Sequence, residues 1–179
     1  MQNRDEYYLN QNLIFVRHSI ANIEERMKKV EIVNDFRIGS SRTGYPILFR
    51  NDVALNNQYD PAEECINVYE SVPQSKLNLY IICGLELGHL LTFFADNSKA
   101  HIILFENDLE LMKYTFSKVS LIKVLGKPNV YVVSDYDELA NVMKHIKTLD
   151  LINKTYVVAN EFYSNAYGHV KALLQELYV

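Results

Sequence analysis

The stretch "IICGLELGHLL", residues 81–91, has the pattern of an apolar strand that runs through a glycine turn into a helix. Nucleotide-binding loops have this shape, with glycines for the tight turn, for close approach of the ligand and for helix packing. Gly84 and Gly88 fit the outer two positions, but Glu86 stands where the middle glycine would be. A side chain there fills ligand space, and its carboxylate repels a phosphate at the helix N-terminus. The stretch therefore indicates the fold more directly than it indicates a working cofactor site.

Around this stretch, strands and helices are expected to alternate with short connections from residue 77 onwards. Such alternation is typical of a parallel sheet with right-handed crossovers, and the first strand is apolar throughout, as expected when helices cover both faces. The sequence predicts an α/β, Rossmann-like (methyltransferase-like) fold with the four strands in the order 3-2-1-4. The predicted strands lie near residues 78–83, 101–106, 129–134 and 155–160, and the helices between and after them near 86–96, 108–119, 136–149 and 163–179.

The N-terminal region has a different character and is expected to form a small α+β subregion. Residues 1–29 have loosely helical spacing with a break near Ser19, and a small hairpin should turn at Asn51-Asp52. Next, Asp60 is placed to cap a helix that starts at Pro61, because proline needs no N–H partner there. We therefore divide the chain into residues 1–58 and 59–179. The final helical pattern has no capping glycine, which suggests a fragment of a longer protein.

Two acidic residues follow predicted strands at the edge where ligands bind in such folds. Glu106 follows Gly84 at the spacing of about 20 residues at which an acid binds ribose hydroxyls, although it could equally form a turn or cap before the next helix. Asp135 lies where adenine contacts would fall in a methyltransferase, or it caps a helix, as Ser134 also could. The candidate cofactor-binding residues are Gly84, Glu86, Gly88, Glu106 and Asp135, and the cofactor itself stays unknown.

Composition and spacing argue against several other classes of function. The net charge of −4 disfavours a nucleic-acid binder. The five histidines and two cysteines have no metal-site spacing, so no metal is expected, and no catalytic motif predicts a nucleophile–base pair. The apolar runs are too short to span a membrane. The polar N-terminus is unlike a signal peptide and only two cysteines occur, which favours the cytoplasm.

Several ordered motifs together resemble one protein family. They are "GYPILF" at 44–49, "VALNNQYDPAEECINVYES" at 53–71, "LYIICGLELGHLL" at 79–91, "IILFENDLELMKYTF" at 102–116 and "TYVVANEFYSNAYGHVKALL" at 155–174. In this order they resemble the N-terminal domain of the motility-associated factor (Maf) glycosyltransferases over about residues 44–179. The sequence departs from the family pattern at Glu86, in place of the middle glycine, and at Asn107, in place of the proline that follows the acid.

The resemblance implies a role in bacterial motility. Full-length members are implied to transfer nonulosonic acids from CMP-activated donors to flagellin serine or threonine in the cytoplasm, from a central domain that this chain does not include. The chain would then be an accessory, non-catalytic domain with a degenerate nucleotide-binding loop. Its partners would be flagellin or a missing C-terminal transferase domain, with a nucleotide-sugar or nucleoside as the candidate ligand. Two alternatives stay open: a divergent S-adenosylmethionine-dependent methyltransferase-like domain, and a free-standing protein-interaction module.

Overall fold

The structure is a computed structural model that describes residues 3–149 and 151–178, with residue 166 described by its backbone alone. The predicted first and last helices begin at residue 1 and end at residue 179, and both of these end positions lie outside the described residues. The strands are β1 (Phe36–Ser40), β2 (Pro46–Arg50), β3 (Val53–Ala54), β4 (Asn78–Cys83), β5 (His101–Phe105), β6 (Val130–Val133) and β7 (Lys154–Ala159). The helices are α1 (Arg4–Val16), α2 (Ile23–Lys29), α3 (Pro61–Glu70), α4 (His89–Asn97), α5 (Leu109–Lys118), α6 (Ile122–Leu125), α7 (Tyr136–Leu149), α8 (Glu161–Ala166) and α9 (Gly168–Tyr178).

The central sheet consists of four parallel strands in the order β6-β5-β4-β7. All six residues of β4 are buried, because it lies inside the sheet with helices on both faces. Counted along the chain, these are the four predicted strands in the predicted 3-2-1-4 order. The α/β class and the strand order are thus confirmed.

A second, antiparallel sheet of three strands, β1-β2-β3, precedes the central sheet. Arg50 pairs with Val53, which leaves Asn51 and Asp52 as a two-residue turn with φ of 49° and 64°. Two-residue hairpin turns need such positive φ values, and asparagine and aspartate tolerate them better than most residues. The predicted hairpin and its turn are therefore confirmed, as is the break between α1 and α2 near Ser19.

The helix after the glycine turn starts later than the sequence predicted. Glu86 and Gly88 have φ values of 45° and 83°, which are left-handed, so the loop extends to Gly88 and α4 begins at His89. A left-handed residue cannot continue an α-helix, and two of them within three residues postpone its first turn. The predicted start at residue 86 was wrong for this reason.

The closing segment forms two helices, although its pattern predicted one. Asn160 caps α8 through its side chain, which accepts a hydrogen bond from the Tyr163 N–H at 2.8 Å. Tyr167 then leaves the helical conformation, with φ −121° and ψ 28°, before α9 resumes at Gly168. The low helix propensity of glycine favours the interruption at this point.

The N-terminal elements share one buried apolar cluster with the central sheet. Leu13 and Val16 of α1 and Leu48 of β2 belong to the same cluster as the strands of the central sheet. The division at residues 58 and 59 stays a prediction. Within the described part of the chain, no helix combines the length and the apolar character needed to cross a membrane.

Candidate functional site

The candidate site lies where the parallel strands end at their carboxyl termini. Cys83 of β4 pairs with Phe105 of β5 and with Ala159 of β7, so the residues that follow these strands are neighbours. Those residues are Gly84, Glu106 and Asn160. Ligands of open α/β sheets bind at this edge, where the strand order reverses, and here the reversal falls at β4.

Tyr163 covers the backbone of Gly84. Gly84 has φ +97°, and a Cβ built on it would lie 2.4 Å from the Tyr163 ring. Only 3% of the Tyr163 surface is exposed, and its ring stacks on Tyr167 at 5.1 Å between centroids. Ligands of such folds bind in the crevice directly beyond the carboxyl ends of the strands, against this loop. In this structure the chain's own aromatic ring occupies that space.

Glu106 binds the glycine loop itself. Its Oε2 accepts hydrogen bonds from the Leu85 N–H at 2.9 Å and from the Tyr163 hydroxyl at 3.1 Å. Its Oε1 accepts one from the Asp108 N–H at 2.9 Å. Burial raises the pKa of Glu106 to about 7, against the opposing effect of the two backbone N–H donors. The carboxyl group that the sequence suggested for ribose therefore joins β5 to the loop and to Tyr163.

Glu86 fills the anion position at the start of α4. It is 2% exposed, its Oε1 accepts from the Leu90 N–H at 3.3 Å, and its Oε2 accepts from Asn160 Nδ2 at 2.9 Å. Burial raises the pKa of Glu86 to about 8, and the nearby Glu64 raises it further. Phosphates bind at helix N-termini because free N–H groups point outward there. In this chain a glutamate accepts one of those hydrogen bonds.

The other two predicted site residues have clear local roles. Gly88 has φ +83°, and a Cβ there would lie 2.8 Å from the side chain of Leu121, so the position requires a glycine for packing. Asp135 is exposed, and its Oδ1 accepts from the Glu138 N–H at 2.8 Å, which caps α7. The structure thus connects Gly84, Glu86 and Glu106 in one network and places Asp135 at a helix end.

Sequence reasoning missed Asn160 and Tyr163, which close the site. Besides Glu86, Asn160 Nδ2 donates to the Leu55 carbonyl at 3.0 Å, and this bond ties the hairpin region to the glycine loop. The available signal was "ANEFY" at 159–163, in which an asparagine after a strand predicts a helix cap. Nothing in that local pattern indicates that the tyrosine ring turns back onto Gly84.

Arg50 and Asp108 form a second contact at this edge that the sequence did not indicate. Their side chains make an ion pair, and the Asp108 Oδ1 also accepts from the Glu110 and Leu111 N–H groups at the start of α5. The Arg50 guanidinium lies 5.0 Å from the centre of the Phe36 ring. The pair joins β2 to α5 across the site. Among residues 3–149 and 151–178, no three histidine, cysteine or acidic side chains are grouped to hold a metal ion.

Comparison with known proteins gives a likeness of fold. No protein-family model matches the sequence, and no curated protein matches it. Among solved structures, a Maf glycosyltransferase from Magnetospirillum magneticum AMB-1 superposes with a TM-score of 0.52 at 11% sequence identity. The match covers 96% of this chain and 35% of that one, so the chain spans about a third of that glycosyltransferase. The expected fold is thus found in a Maf glycosyltransferase, and at this identity the likeness is one of fold alone.

Proposed function

We propose that this chain is an accessory, non-catalytic Rossmann-like domain of a Maf-like protein glycosyltransferase. It would position the enzyme or engage its flagellin substrate in the cytoplasm, while sugar transfer takes place in another domain. The observation that carries the non-catalytic role is the closed glycine loop, in which Tyr163 lies over Gly84 and Glu86 takes the anion position.

A nucleotide cofactor needs both of these places. Its pyrophosphate or carboxylate needs the helix N-terminus, and its sugar needs the loop backbone and the acid after the second strand. To admit it, Tyr163 would have to leave a buried position, and Glu106 would lose its hydrogen bond to the Tyr163 hydroxyl. Glu86 and Glu106 are both 2% exposed, and their carboxyl groups already accept hydrogen bonds from the loop or from Asn160. These contacts support a structural role for the loop.

The fold supports the assignment to a glycosyltransferase of this kind. This chain matches about a third of the Maf glycosyltransferase, which leaves the larger part of that enzyme for other domains. The partners proposed from the family resemblance are flagellin and a transferase domain. Both are implied by the resemblance of the short motifs between residues 44 and 179, and the likeness of fold is consistent with them.

Ligand binding tests the closed loop directly. We expect no change in melting temperature and no heat of binding when the chain is titrated with S-adenosylmethionine, CMP or a CMP-activated sugar. Saturable binding of S-adenosylmethionine that disappears in Glu106→Ala would overturn the proposal and favour a methyltransferase-like domain. Binding of CMP or its sugar would equally overturn a loop without a ligand. The same titrations with the Glu86→Gly variant test the loop without the carboxyl group. Glycine keeps the loop conformation, because it accepts the left-handed backbone at this position.

Transfer and partner assays test the accessory role. The chain alone should transfer no sugar from a CMP-activated donor to flagellin, and it should bind flagellin or a separately produced transferase domain in a surface-plasmon experiment. Sugar transfer by the chain alone would contradict the proposal. Absence of binding to both proteins would favour a free-standing interaction module with a different partner.

A further inference from the structure

A groove with mostly apolar walls lies between α3, α4 and the β1–β2 hairpin. It encloses about 590 Å³, within the range of about 300–1,000 Å³ that is usual for small-molecule sites. We call it the α3–α4 groove. Its apolar walls include Ile38, Tyr45, Cys65, Ile66, Leu87 and Phe93. They do not include the residues that close the glycine loop, which are Gly84, Glu86, Glu106 and Tyr163.

Three large apolar side chains of the groove are exposed to solvent. Ile38 and Tyr45, on the hairpin side, are 42% and 47% exposed, and Ile66 of α3 is 40% exposed. Below them Cys65 and Leu87 are buried, so the apolar surface continues into the groove. Single exposed apolar residues are ordinary on a protein surface, but several around one concave surface are typical of a binding site.

Contacts between the walls hold the α3–α4 groove in shape. The Tyr69 hydroxyl of α3 donates to the Asn97 carbonyl of α4 at 2.8 Å, and its ring meets Phe93 edge to face at 5.5 Å between centroids. His89 Nε2 donates to the Pro46 carbonyl at 2.7 Å, which joins α4 to the β1–β2 hairpin. Binding would therefore need little ordering of the walls, a condition that favours measurable affinity for a small ligand.

The electrostatics of the groove favour a neutral ligand. Within the described part of the chain, the acidic side chain in its walls is Asp96, which pairs with Lys127 at 2.6 Å. Burial lowers the pKa of His89, against the opposing effects of the Pro46 carbonyl and Glu64, so the ring is neutral at pH 7. A charged ligand would lose water here without gaining an oppositely charged partner.

The shape and side chains of the groove favour a compact aromatic ring. Tyr45 and Phe93 present aromatic rings, which contact another ring favourably in offset or edge-to-face arrangements. His89 and Thr92 supply polar groups in the same walls, to which a hydroxyl group on the ligand can bond. Mostly apolar walls with a few polar groups are the usual composition of a small-molecule site.

We propose that the α3–α4 groove binds a neutral aromatic molecule, whose ring lies against Tyr45, Ile66 and Phe93. The proposal goes beyond the accessory role. It also concerns walls outside the residues that close the glycine loop, so it holds or fails independently of that role.

An NMR titration of the ¹⁵N-labelled chain tests the site. The probes are 2-naphthol, which is neutral at pH 7, and 2-naphthoate, which has the same rings and a negative charge. 2-Naphthol should shift backbone amides of residues 62–66 and 89–93 saturably, with a dissociation constant on the order of 1 mM or below. 2-Naphthoate should bind at least about tenfold more weakly, because its carboxylate would lose water without a cationic partner.

Variants from two walls locate the binding surface. Ile66→Lys places a charge beside the apolar surface and should weaken 2-naphthol binding by about tenfold or more. Tyr45→Ala removes one aromatic contact and should weaken it by about threefold or more. Both residues are exposed, so the two variants should fold. Ile14→Lys is the matched control, because Ile14 is a 45% exposed isoleucine on α1 outside the groove, and binding should stay unchanged.

Four results would overturn the proposal. They are the absence of saturable shifts with 2-naphthol, equal affinity for 2-naphthoate, and unchanged affinity in both groove variants. The fourth is a saturable shift of the same amides with an amphipathic helical peptide but not with 2-naphthol, which would identify a protein-docking surface instead.

Discussion

Glu86 combines three properties that are seldom found together in one residue: left-handed backbone, complete burial and a carboxyl group. A non-glycine residue with φ of 45° is costly, and a buried carboxyl group is costly unless it is hydrogen-bonded. Both costs are offset here by bonds from the Leu90 N–H and Asn160 Nδ2. The sequence predicted that this side chain would fill ligand space. The structure adds that it joins the loop to the residue after β7.

At the same scale, Gly84→Ala should be strongly destabilising. The new Cβ would lie 2.4 Å from the Tyr163 ring in a backbone with φ +97°, so both a clash and backbone strain arise. We expect the free energy of unfolding to fall by about 3 kcal/mol or more, measured by urea denaturation. Gly44→Ala is the matched control, because it has φ +86° with no atom within 4 Å. It should lose only the strain, about 1–2 kcal/mol. Equal losses in the two variants would contradict the closed loop.

Among the elements, α1 contacts α5 and α6 through a buried amide as well as through the shared apolar cluster. Asn12 has no exposed surface, and its Nδ2 donates to the carbonyls of Phe116 at 2.9 Å and Val119 at 2.7 Å. Its Oδ1 accepts from the Leu121 N–H at 2.9 Å. Asn12 therefore satisfies carbonyl groups at the end of α5 and an N–H at the start of α6, none of which has an α-helical partner within its own helix.

Asn12→Ala should therefore destabilise the protein through groups that it leaves unpaired. Each buried backbone group without a partner costs about 1–3 kcal/mol, so we expect a loss of about 3 kcal/mol in the free energy of unfolding by chemical denaturation. Asn10→Ala, on the exposed face of the same helix, should stay within about 0.5 kcal/mol. A small effect at Asn12 would contradict a stabilising role for these three hydrogen bonds.

The elements also show which features the sequence could predict. Strands near 78–83 and 155–160 follow from continuous apolar runs, and the cap at Asp60 follows from its place before Pro61. Each of these signals acts over a few residues. The late start of α4 comes from the left-handed backbone of Glu86 and Gly88, and the break at Tyr167 comes before Gly168. The spacing of apolar residues carries no signal for either.

For the molecule as a whole, two buried acids should make stability depend on pH. The folded-state pKa values of about 8 for Glu86 and about 7 for Glu106 lie above the value of an exposed glutamate. Between pH values of about 4.5 and 8 the folded state then holds more protons than the unfolded state. By linkage, this contribution to stability is fully present below the unfolded-state pKa and is lost as the pH rises through the folded-state values.

We expect the free energy of unfolding to be lower near pH 8.5 than near pH 5.5 by a few kcal/mol, at about 1.4 kcal/mol for each unit of pKa shift. Urea denaturation across this range measures the difference. Glu86→Gln should flatten the profile, because it removes one of the two titrating groups. Glu63→Gln, which alters an exposed glutamate of α3, should leave the profile unchanged. A stability that rises towards pH 8.5 would show that both acids are ionised in the folded protein.

The sequence by itself determined the α/β class, the four parallel strands and their order, the hairpin turn and the place of the glycine loop. It could do so because hydrophobic periodicity, glycine turns and helix caps act over a few neighbouring residues. Only the tertiary structure decided that the loop is closed. Glu86 and Asn160 are 74 residues apart in sequence, and Tyr163 reaches Gly84 because β7 is placed beside β4. Only the tertiary structure shows that the buried Asn56 Nδ2 has no hydrogen-bond partner among the described residues. The pairing of a buried donor depends on residues that folding brings near it.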